Sequence, residues 1–175
     1  MSQTKISTRH PASHDAEDND SFAFFSGVLL QIFDVSDPTA PSLQHKTVIG
    51  TRGSSSEALT NHLAFTFFED MLALPMTICE GGSGGSFGDT TTFSGLILYD
   101  VSLDDGLVER GRVAHPSATG GYENATCTNW WTRASSVVQR SIFMDDYVYS
   151  IAADIMRVQS LNALGSDVSS VPLIN

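Results

Sequence analysis

The sequence predicts an all-β fold built from tandem four-stranded antiparallel units, and three observations predict it. Sustained helical periodicity is absent, with only 57–64 and 159–165 able to form a helical turn. Short runs of Val, Ile, Leu, Phe and Tyr alternate with two-residue acidic turns or Gly-rich loops, which is the pattern of hairpin-connected strands. The third observation is repetition: LLQIFDVS, beginning at Leu29, is echoed by LILYDVS beginning at Leu96.

Strand signals begin at Phe22. Leu30, Ile32 and Val35 lie among β-favouring residues, and Asp37-Pro38 breaks the run. Pro41 to Ile49 makes a second short strand, and the loop GTRGSSSEALTN follows. HLAFTFF and MLALPMTIC then flank Glu69-Asp70 as a hairpin. Pro75 is expected at a strand edge or bulge, because it donates nothing to a ladder. EGGSGGSFGDTTT reads as a loop, FSGLILYDVSL and LVERGRVAHP as strands around Asp104-Asp105-Gly106. A long loop over 117–135 follows. SIFM and YVYSIAA flank Asp145-Asp146, and IMRVQSL precedes a weak final strand near 168–173.

Laid end to end, the strands recur in one order. Hairpin, Asp-Val-Ser strand and outer strand appear over 62–116; hairpin, IMRVQSL and the weak strand appear over 137–173; the second half of an earlier unit occupies 21–50. The spacings Asp34 to Asp100 and Asp100 to Gln159 are 66 and 59 residues. Both exceed the roughly 40–50 of common propeller repeats, and the long loops supply the excess. Four-stranded units in tandem are the pattern of β-propeller blades, since each twisted sheet packs face to face on the next. A β-sandwich is the alternative; the repeated order favours a partial β-propeller of about two and a half blades.

FDVSDPTAPSL, VIGTRGSSSEALTNHLAF, GLILYDVSLDDGLVERGRVAH and RSIFMDDYVYSIAADIMRV together resemble a bacterial family of secreted proteins with a C-terminal β-propeller, distantly similar to WD40 repeats. The resemblance covers roughly residues 25–165. It implies an exported or cell-surface propeller and brings no catalytic residues with it. The chain departs from the family in blade number, since closed rings typically use four to eight, and in lacking an export signal. Both departures suggest a partial copy of a longer propeller, with missing blades or self-association making up the ring.

Composition narrows the partners. The net charge is −11 with no Lys/Arg cluster, which repels phosphate backbones and sets nucleic acid aside. No apolar run approaches the ~18 residues of a membrane span. Residues 1–20 are polar and acidic, lack the apolar region of a signal peptide, and read as a disordered tail. Asp15, Glu17, Asp18 and Asp20 could alternatively offer oxygens to calcium, but the Gly and distant Glu of an EF-hand loop are missing.

Few residues stand out as chemistry. Ser54–Ser56, Glu57 and His62 are the residue types of a hydrolytic triad, but no nucleophile-elbow pattern surrounds them, so no catalytic residue is assigned. Glu57 and Asn61 are candidate calcium ligands against a reading as a hydrogen-bonded loop between blades. Trp130 and Trp131 are candidate contacts for carbohydrate or protein, against a reading as packing between blades. Cys79 and Cys127 are either two buried thiols or one disulfide, the latter implying an oxidising compartment. The expected function is a non-enzymatic binding or scaffold module without a cofactor, calcium apart. The alternatives are a metal-assisted hydrolase or other enzyme with a site on the propeller axis, and a truncated fragment without a function of its own.

Overall fold

The structure, a computed structural model, describes residues 4–9, 16–19, 22–25, 27–82, 86–115, 127 and 138–173, the first three segments by their backbone alone. Among these the chain forms strands and two short 3-10 turns. Strands β1 (Thr4–Arg9), β4 (Val28–Asp34) and β5 (Ser42–Ile49) make the first sheet, in the order β1-β4-β5, and β2 (Ala16–Asn19) pairs with β3 (Phe22–Phe25) as a separate hairpin. The second sheet is β6 (Thr66–Phe68), β7 (Met71–Glu80), β8 (Thr90–Ser102) and β9 (Gly106–Ala114), in chain order. The third is β10 (Val138–Met144), β11 (Tyr147–Ala152), β12 (Ile155–Ser160) and β13 (Ala163–Pro172), again in chain order. All pairings are antiparallel.

The two acidic turns fall where the repeat predicts. Glu69-Asp70 joins β6 to β7 and Asp145-Asp146 joins β10 to β11, the first hairpin of each four-stranded sheet. Glu69 and Asp70 both take positive φ, 47° and 61°, and Asp145 takes 52°. A two-residue hairpin needs that left-handed backbone to match the twist of its strands.

Two short cores hold the sheets together, and strand alternation sorts residues between them. Leu72, Leu74, Met76 and Ile78 of β7 pack with Ile97, Tyr99 and Val101 of β8 against Val28, Leu30 and Ile32 of the first sheet. The intervening residues Ala73, Leu96 and Leu98 face the other way and meet Val138 and Val148 of the third sheet, with Phe143 and Leu164 beside them. The middle sheet is therefore apolar on both faces. This explains why its strands read as continuous apolar runs rather than alternating ones.

Within residues 1–20, which the sequence reads as a disordered tail, the described segments 4–9 and 16–19 form strands. Thr4–Arg9 runs antiparallel along β4 from Thr4↔Asp34 to Arg9↔Leu29, and Ala16–Asn19 pairs with Phe22–Phe25. Composition undercounts such a segment because β4 offers an unpaired backbone edge, and a ladder needs N–H and C=O groups rather than apolar side chains. Alternating Thr4, Ile6 and Thr8 suit the pleat. The first strand of the middle sheet is also shorter than HLAFTFF suggests. Asn61 accepts a hydrogen bond from Leu63 N through Oδ1, which starts a 3-10 turn at His62–Ala64 and delays the strand to Thr66. Pro75 lies within β7, opposite Leu96. Pairing with β6 has ended by Ala73, so Pro75 is locally an edge residue, and its carbonyl accepts from Ser56 Oγ at 2.6 Å instead.

Candidate functional site

Antiparallel alternation sends the β4–β5, β6–β7, β8–β9 and β10–β11 connections to one rim of the stacked sheets. That rim carries Asp37, Glu69-Asp70, Asp104-Asp105 and Asp145-Asp146. Bonds within and between sheets hold it in place: His45 Nε2 lies 2.7 Å from Leu103 O, and Arg110 donates to Asp100 in its own sheet and to Leu161 O in the next. Asp34 and Asp37 each receive the hydroxyl and backbone N–H of a residue two positions on, Ser36 and Thr39, and these bonds hold both carboxyls below their usual range. The rim therefore carries a row of acidic side chains, two of them, Asp34 and Asp37, held by short local bonds.

The opposite rim carries the connection from β5 to β6, where the sequence offered its triad and calcium candidates. Each of the three serines has a structural partner. Ser54 Oγ accepts from Cys79 N at 2.9 Å and donates to Cys79 O at 3.1 Å, closing a bridge onto β7. Ser55 exchanges two backbone bonds with Thr77. Ser56 donates to Pro75 O and caps the 3-10 turn Glu57–Leu59 by accepting from Ala58 N. His62 is exposed and belongs to the second 3-10 turn, apart from these bonds. Glu57 and Asn61 do meet, Asn61 Nδ2 donating to Glu57 Oε1 at 3.4 Å, but the Asn61 oxygen already serves as a cap. Among the described residues no three His, Cys, Asp or Glu side chains converge as metal ligands.

The disulfide lies on the same rim. Cys79 and Cys127 are bonded, with Cα atoms 6.2 Å apart and a sequence separation of 48. Gly53 passes directly beneath the bond: at φ 104° it lies where an added Cβ would stand 2.9 Å from the Cβ of Cys127. Gly88 N donates to Arg52 O, Gly88 O accepts from Cys127 N, and the Arg52 guanidinium sits 4.1 Å over the Phe87 ring. One covalent bond thus ties the end of β7 and the Gly-rich loop to the connection that leads to the third sheet. Trp130 and Trp131 lie outside the described residues.

One polar group escaped the sequence reading. His115 is 1 % exposed between the second and third sheets, with Nε2 2.6 Å from the hydroxyl of Ser150, itself wholly buried. Burial and the Arg157 charge push its pKa down to about 4, so the ring is neutral near pH 7. Its Nδ1 and the neighbouring Ser94 hydroxyl have no hydrogen-bond partner among the described residues. Serine beside histidine is the beginning of a nucleophilic pair, yet no substrate reaches a pair this enclosed. The signal was present in the strand: Val113 and His115 are two apart and share a buried face.

The family comparison agrees with this architecture. A family model described as a β-propeller domain matches residues 10–164. The chain belongs to that β-propeller family. No curated protein and no solved structure matches it. Among the described residues of this propeller chain, no helix is long and apolar enough to cross a membrane.

Proposed function

We propose that this propeller chain is a non-enzymatic binding or scaffold module, exported or held at the cell surface. The observation that carries the non-enzymatic reading is the use made of the candidate catalytic side chains. Ser54, Ser55 and Ser56 are bonded into β7, and His115 with Ser150 is sealed between sheets. A nucleophile must be both activated and reachable, and these are one or neither. The Cys79–Cys127 bond supports export, because such bonds persist in oxidising compartments. Loops and turns at the two rims are the surface left for a protein or carbohydrate partner, and no cofactor is needed. Calcium remains the one ion the Glu57–Asn61 loop suits by ligand type.

The test is an assay of ester, phosphoester and peptide hydrolysis by the purified chain, with and without calcium. We expect no turnover that Ser56→Ala or Ser150→Ala removes. Turnover abolished by either substitution would establish an enzyme and sink the reading. For export, fractionation of cells expressing the natural gene should place the disulfide-bonded chain outside the cytoplasm; a reduced cytoplasmic pool as the main form argues the reverse.

A further inference from the structure

Four buried polar atoms stand at the junction of the second and third sheets with no hydrogen-bond partner among the described residues: Ser94 Oγ, His115 Nδ1, Asp154 Oδ1 and Arg157 Nε. Ser94 lies on β8 and His115 just past β9, both on the second sheet. Asp154 lies between β11 and β12 and Arg157 on β12, both on the third. Bonds draw the set together. His115 N donates to Ser94 O at 2.9 Å, and His115 Nε2 lies 2.6 Å from Ser150 Oγ. Ser150 stands opposite Arg157 in the ladder and donates its hydroxyl to Arg157 O at 3.5 Å. The charges of Arg157 and Asp154 both act on the His115 ring. A buried polar atom left unpaired costs more than an ordinary hydrogen bond contributes, so four of them at one junction point to a ligand that pairs with them.

Hydrogen-bond chemistry selects the ligand. Ser150 gives its own hydrogen to Arg157 O, so its oxygen accepts from His115 Nε2–H. Burial and Arg157 keep the ring neutral, and Nδ1 is then a bare acceptor. Asp154 Oδ1 is also an acceptor, Arg157 Nε only donates, and the Ser94 hydroxyl does either. The far end of Arg157 is anchored, since Nη1 donates to Asp167 at 2.7 Å. A metal cation suits Nδ1 and the carboxylate but is repelled by the guanidinium. An anion suits the guanidinium but is repelled by Asp154. A neutral molecule that both donates and accepts suits all four atoms. Val113, two residues before His115, and Val138 and Val148 of the third sheet are wholly buried in the same interface, which favours the smallest such molecule. That molecule is water, and a polar site with two to four partners is what a buried water needs.

We infer that ordered water is bound at this junction, donating to His115 Nδ1 and Asp154 Oδ1 and accepting from Ser94 Oγ and Arg157 Nε. It ties the second sheet to the third by polar bonds beside their shared apolar core. The inference is independent of whether the module binds or catalyses. A crystal structure of the full chain that resolves internal solvent should show water hydrogen-bonded to each of the four atoms. Nitrogen-15 NMR at pH 7 should show the proton on Nε2 of His115 and none on Nδ1, with magnetisation transfer from water to the ring. Ser94→Ala removes one of the water's donors and should lower the folding equilibrium constant about fivefold. A dry junction, a metal ion or an anion at these atoms overturns the inference. So does a proton on Nδ1, a protein group bonded directly to it, or a folding constant that Ser94→Ala leaves unchanged.

Discussion

At the scale of single residues, His115 links a buried contact to pH. Its folded pKa of about 4 lies below the ordinary value of 6.5. The unfolded chain therefore binds a proton that the folded chain refuses between those two values. Stability from this group is full above pH 6.5 and falls as pH drops toward 4. Below that both states are protonated and the loss levels off. The gap corresponds to about 3 kcal/mol. Burial and Arg157 lower the value while Asp154 and Asp167 raise it, and the net of these is the shift to about 4. Urea unfolding at pH 7 and pH 4.5 should show the loss in the parent chain and a flatter profile in His115→Gln. Equal pH dependence in the two would remove His115 from the explanation. The sequence carried only half of this: the alternation with Val113 places His115 on the buried face, but nothing local shows the Ser150 and Arg157 of the next sheet that meet it. The cysteine pairing was half legible: two cysteines offer one intramolecular bond, but only the approach of the 127 segment to the end of β7 decides it.

The element scale was the most legible. Apolar runs, acidic turns and Gly-rich loops marked the strands of the two complete sheets, since turn chemistry and period are local. The misplaced elements were those decided by a partner. β1 needs the free edge of β4, and the late start of β6 needs the Asn61 cap. The Glu69-Asp70 turn gives a quantitative check. Both residues occupy the left-handed region, which disfavours side chains with a Cβ. Replacing the pair by Asn-Gly should raise stability by about 1 kcal/mol, visible as a higher melting temperature. A lower one would mean that contacts of the carboxylates on the rim outweigh backbone strain. Packing gives a second check. Leu74→Ala leaves a cavity between the first two sheets and should cost ~2–5 kcal/mol, whereas Ile142→Ala at an exposed position of β10 should cost little. Similar losses from both would show that Ile142 is covered in the folded chain.

At the scale of the whole molecule, the sheets meet through two thin cores, and each sheet depends on its neighbours for cover. Among the described residues, the disulfide adds a covalent tie to this packing. Cys79 belongs to the middle sheet, and Cys127 to the long connection before the third. The bond restricts the unfolded chain by closing a loop across a separation of 48 residues, which the chain-entropy model values at ~4 kcal/mol. A typical domain has ~5–15 kcal/mol in total, so this is a large fraction. The same bond holds Gly53 and Gly88 against the end of β7, so its loss also frees the ties to Arg52 and Cys127 on that rim. Cys79→Ser with Cys127→Ser should therefore lower the urea midpoint strongly, and reduction of the parent chain should do the same. Because β10–β13 depends on the middle sheet for its inner core, hydrogen exchange should quicken in β10 and β11 before β7 and β8. Unchanged stability on reduction, or exchange that quickens first in the middle sheet, would show that the packed faces alone hold the sheets together.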